Sequence, residues 1–80
     1  MSEQWLSVAE AAMETGLSEA TVRRWVDAFL AGGQPGSPGV LVGRLLLLRR
    51  GRGRVRQVDA GDARRVAREL GTGPRPVTEG

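Results

Sequence analysis

Residues 5–29, WLSVAEAAMETGLSEATVRRWVDAF, decide the fold of this chain. Two short helical patterns meet at Thr15-Gly16-Leu17. The first is expected over Val8–Glu14. Ser7 is its N-cap, and Glu10, three residues on, completes a capping box. Val8, Ala9, Ala12 and Met13 recur at helical spacing and are expected to face inward. Gly16 ends the helix because it accepts a left-handed backbone. The second helix is expected over Glu19–Ala31. Ser18 caps it and Glu19 complements its positive end. Val22, Trp25, Val26 and Phe29 make its apolar face, Ala20, Arg23, Arg24 and Asp27 lie on the other side, and Gly32-Gly33 stops it.

Two helices joined this way, with an arginine pair on the second, have the layout of a helix-turn-helix, which sets one helix into the major groove of DNA. Downstream, AGGQPGSPG at 31–39 reads as a loop. Residues 40–48 (VLVGRLLLL) and 54–58 (RVRQV) read as strands, and Arg49-Arg50-Gly51-Arg52-Gly53 as the hairpin turn between them. A third helix is expected over Ala60–Leu70. Asp59 caps it, Asp62 sits at N3, Ala63, Val66, Ala67 and Leu70 point inward, and Gly71 terminates it. The expected fold is mainly α with a small β-hairpin, in the order helix, helix, hairpin, helix. Residues 1–70 form one domain and 71–80 a disordered tail.

Composition narrows the chemistry. Eighty residues support one small core. There is no Cys and no His, which removes disulfides, thiolate chemistry, most zinc sites and every His-dependent mechanism. No catalytic residue, metal site or cofactor is expected. The paired acids Asp59 and Asp62 are better read as helix caps than as a catalytic dyad. MSEQWLSVAE lacks the features of a signal peptide. The longest apolar run, Leu45–Leu48, is too short for a bilayer. A cytoplasmic, nucleoid-associated protein is the expectation, with no membrane partner and no small-molecule ligand.

Charge is distributed unevenly. Residues 1–40 hold two arginines against five acids, a net −3, while 41–80 hold ten arginines against four acids, a net +6. Six arginines fall between Arg44 and Arg56. All basic residues are Arg and none is Lys, a bias that GC-rich coding also produces. Clustering at 44–56 is a different matter, since close like charges call for an anionic partner.

The run WLSVAEAAMETGLSEATVRRWV resembles the opening of excisionase and MerR-type winged-helix DNA-binding domains. It shares an apolar start, an Ala pair in helix 1, Gly-Leu-Ser at the turn and Thr-Val-Arg-Arg-Trp in helix 2. Residues 56–62, RQVDAGD, look like the family's wing exit. The likeness covers roughly residues 5–70. The loop at 31–42 is longer than the family's, the quadruple Leu is unusual, and the effector-binding portion and long dimerisation helix are missing. The resemblance implies a winged helix-turn-helix that binds double-stranded DNA and does no chemistry, as a small regulatory or architectural factor of a bacterium, phage or mobile element.

The DNA-contacting candidates are Ser18, Glu19, Thr21, Arg23 and Arg24 on helix 2, and Arg49, Arg50, Arg52, Arg54 and Arg56 on the wing. Each also has a plainer reading: a solvated helix face for Arg23 and Arg24, capping for Ser18, solubilising turn charge for the wing. Trp25 belongs to the core, with Trp5 beside it. In a strand, half of Leu45–Leu48 faces outward, so this run is either covered by the loop or a contact for a second copy. Two further functions stay open: the DNA-recognition domain of a phage terminase small subunit, and an adaptor that docks an acidic protein through the same surface.

Overall fold

The computed structural model describes residues 4–47 and 53–71. The order is β1 (Trp5–Ser7), α1 (Val8–Thr15), α2 (Glu19–Leu30), β2 (Gly43–Leu47), β3 (Arg54–Asp59) and α3 (Ala60–Leu70). The strands form one antiparallel sheet in the order β1-β3-β2. The described residues make a small mixed fold of three helices and a three-stranded sheet, rather than helices with a bare hairpin. The tail expected after Gly71 lies outside the described residues.

Each helix starts where the sequence places a short polar side chain. Ser7 Oγ accepts the Glu10 N–H at 3.1 Å, and Glu10 Oε1 accepts the Ser7 N–H at 2.9 Å, closing the capping box. Ser18 Oγ accepts the Thr21 N–H at 3.1 Å, and Asp59 Oδ2 the Asp62 N–H at 2.9 Å. Gly16, at φ +76°, donates its N–H to Ala12 and closes α1 in the left-handed region. That residue sets the sharp reversal into α2.

The core is built from Leu6, Ala11, Ala12, Val22, Val26, Leu41, Val58, Ala60, Ala63 and Val66. Several expected positions differ. The inward face of α1 is Ala11, Ala12 and Thr15, whereas Met13 is 73% exposed and Ala9 is exposed. The stripe is set by positions 8, 11, 12 and 15, with Val8 packed partly against the core. Thr15 can join it because its hydroxyl donates to the Ala11 carbonyl at 2.8 Å. On α3, Leu70 is largely exposed, and the buried set starts earlier, at Ala60. Helix α2 ends at Leu30, with Ala31 as its C-cap.

Two elements account for the sheet. Trp5 does not sit in the core: it opens β1, whose Leu6 is buried opposite Val58 on the central strand. The first strand of the expected hairpin is shorter than 40–48, running over Gly43–Leu47. Val40 and Leu41 precede it and are buried, Leu41 completely. Leu41 N–H donates to the Trp25 carbonyl at 3.1 Å, which binds the end of the loop to α2. Gly43 then presses against α2: a Cβ there would lie 2.5 Å from Val26 Cγ1 and 2.8 Å from the Gln57 carbonyl oxygen. Only Gly lets the sheet and the helix come this close.

Asp62, expected only as a capping acid at the N3 position of α3, does more. Its side chain is buried, accepts the Val42 N–H at 2.8 Å and pairs with Arg65. Arg65 also reaches Glu69 at 3.0 Å. Hydrogen bonds from Asp62 first and Glu69 second raise the Arg65 guanidinium above its ordinary, already high, range.

Candidate nucleic-acid interface

Helix α2 turns Val22 and Val26 into the core. Its period leaves Ala20, Arg23, Arg24 and Asp27 on the exposed side, with Arg24 roughly opposite the buried stripe. Among the described residues, neither Arg23 nor Arg24 forms an ion pair. Both are exposed cations with no acidic partner among the described residues. Ser18 and Thr21 stand at the start of the helix, and Ser18 Oγ donates to Thr21 Oγ1 at 2.9 Å. Each hydroxyl thus has a local role in the cap, and Glu19 is exposed beside them.

The sheet meets this helix with one of its faces. Antiparallel register pairs Gly43 with Val58, Leu45 with Arg56, and Leu47 with Arg54. Partners in register share a side, and alternate residues along a strand share a face. Gly43 and Val58 are buried, so Leu45, Arg56, Leu47 and Arg54 continue the same face outward from the core. Arg54 is exposed near the outer end and Leu47, beside it, is 74% exposed. Arg56, nearer the helix, donates through Nε to Asp27 Oδ1 at 2.5 Å. This bond joins the strand to the exposed flank of α2 and brings Asp27 into the site. Sequence reasoning placed Asp27 on the right side of the helix without giving it a partner. The i,i+4 spacing from Arg23 offered only a local pairing, and a contact to β3 has no signature along the chain.

Arg49, Arg50 and Arg52 lie outside the described residues. Of the expected turn, Gly53 is described, at φ +114°. The structure joins Arg56 on β3 to Asp27 on α2; Arg23 stands one turn before Asp27 on the helix, and Arg54 two residues before Arg56 on the strand.

The opposite face of the sheet carries Arg44, Leu46, Val55 and Gln57. There the Arg44 guanidinium lies 4.9 Å from the centroid of the Trp5 ring, a cation–π contact. Elsewhere, Trp25, Pro38, Val66 and Leu70 help line a groove of about 150 Å³ between the loop and α3. That is smaller than the roughly 300 Å³ at which small-molecule sites begin. Among the described residues no group of acids is placed to hold a metal ion, and no helix is long and apolar enough to cross a membrane. No family model, no curated protein and no solved structure matches the chain.

Proposed function

We propose that this protein is a winged helix-turn-helix that binds double-stranded DNA, with α2 in the major groove and the Arg-rich β2–β3 connection on the flanking backbone or minor groove. The observation that carries the reading is the unpaired Arg23–Arg24 surface on a helix entered through a capped, glycine-bearing turn, beside a strand bearing Arg54 and Arg56. Helix starts offer N–H groups to phosphates, and arginines offer bidentate donors to phosphates and guanines. The role is regulatory or architectural, as in an excisionase or a MerR-like regulator. The test is a salt titration of affinity for random and selected duplexes. Binding that weakens steeply with salt supports the proposal. Retention of an acidic protein at high salt, with no duplex binding, favours the adaptor reading instead.

A second copy is the proposed protein partner. Strand β2 is an edge of the sheet and ends on the exposed Leu47, an apolar side chain that an associating copy would cover. Sedimentation of wild type and Leu47→Lys tests this: self-association that the lysine leaves intact removes β2 from the contact.

A further inference from the structure

We infer that Asp27 and Arg56 act together as a reader of one G·C base pair, a step that rests on the DNA-binding reading above. Arg56 bonds to Asp27 through Nε, at 2.5 Å. Its terminal Nη1 and Nη2 groups, two parallel N–H donors in a rigid plane, have no partner among the described residues. Asp27 uses only Oδ1 in this bond, so Oδ2 retains its lone pairs. Arg56 and Asp27 have side chains 37% and 51% exposed, so the pair is accessible.

The pair therefore presents two donors and an acceptor side by side. In the major groove, guanine shows two acceptors, N7 and O6, and its cytosine partner shows the N4 amino donor. The patterns are complementary: Arg56 to the guanine, Asp27 Oδ2 to the cytosine amine. A phosphate offers acceptors and negative charge only, and would meet the Asp27 carboxylate repulsively. An exposed ion pair adds little to fold stability, so a structural tie alone is a weak reason for an acid beside unpaired arginines. Asp27 is a positioning residue as well as a contact, since its grip on Nε fixes the plane in which Arg56 approaches the base.

The experiment is selection from a random duplex pool with wild type, Asp27→Ala, Arg56→Ala, the two alanines combined, and the exchanged pair Asp27→Arg with Arg56→Asp. Affinities for the wild-type site and its single-base variants follow. The expected result is that either single substitution loses about tenfold of preference for G·C at one position, the same position for both. The combined alanine variant loses no more, and preferences elsewhere persist. Asp27→Ala keeps or raises affinity for random duplex, because it removes a negative charge. All variants keep the folded melting transition, and the exchanged pair re-forms the ion pair without restoring the G·C preference. Uniform weakening on all sequences, or full rescue by the exchange, overturns the inference and leaves Asp27 a structural tie or Arg56 a phosphate contact. Absence of any duplex binding by wild type overturns the DNA-binding reading itself, and this inference with it.

Discussion

Asp62 accepts the backbone N–H of Val42 at 2.8 Å, so one carboxylate closes α3 against the entry to β2. The same carboxylate accepts from Arg65, while the Asp62 backbone N–H donates to the Asp59 cap. Removal of the Asp62 carboxylate leaves a partly buried N–H without an acceptor and leaves Arg65 with Glu69 alone. Asp62→Ala is expected to destabilise by about 1.5–3 kcal/mol, the range for hydrogen bonds involving charged groups. Chemical denaturation of wild type and variant checks this. A loss within experimental error of zero would mean that water replaces the carboxylate at Val42.

At Gly43 the sign is reversed, because here an added atom is harmful. Gly43→Ala pushes a methyl onto Val26 and the Gln57 carbonyl oxygen. The expected cost is about 1–3 kcal/mol, and in a domain of this size each kcal/mol lowers Tm by about 4–8 °C. Combining it with Val26→Ala should recover little, since the backbone oxygen cannot be trimmed. An unchanged Tm for Gly43→Ala would show that β2 can retreat from α2.

For function, Arg23→Ala and Arg24→Ala are each expected to cost about 1–3 kcal/mol of affinity if the side chain reads a base, with relaxed preference at its position. Selection and competition titrations measure both effects. Wild-type affinity and specificity in both variants would remove α2 as the recognition element.

Replacement of Arg49, Arg50, Arg52 and Arg54 by Gln should weaken specific and random duplex binding together. It should also flatten the slope of log K against log salt by about two to four units, at roughly 0.9 for each phosphate no longer neutralised. The fold should persist, since Arg54 is exposed and stands apart from the Asp62–Arg65 network that ties α3 to the sheet. An unchanged slope would remove these arginines from the proposed DNA interface.

What could be read along the chain was local. Ser7 with Glu10, Ser18 and Asp59 mark helix starts because a cap is satisfied within three residues of itself. The limits of α3 followed from Asp59 and Gly71 for the same reason. What escaped was settled across the fold. Met13 and Ala11 are interchangeable by spacing, and only the position of α3 and the sheet decides which is covered. Leu41 has the sequence context of a strand start, but its place under α2 depends on how a glycine-rich loop returns. Trp5–Ser7 is too short to declare itself a strand without Gln57–Asp59 alongside. The arginines of the candidate interface were visible as a cluster, while the Asp27–Arg56 bond depends on the sheet reaching the helix.

The order β1-β3-β2 also has a consequence in time. The central strand comes last of the three in the chain, and Trp5 finds its partner in Asp59, at the other end of the domain. During synthesis, α1 and α2 emerge with their apolar faces uncovered, and no sheet can close until β3 has cleared the ribosome. Contacts so far apart in sequence slow closure relative to a bundle of local helices. A nascent chain stalled before Arg54 should therefore remain sensitive to protease, and protection should arrive in a single step once β3 and α3 are free to dock.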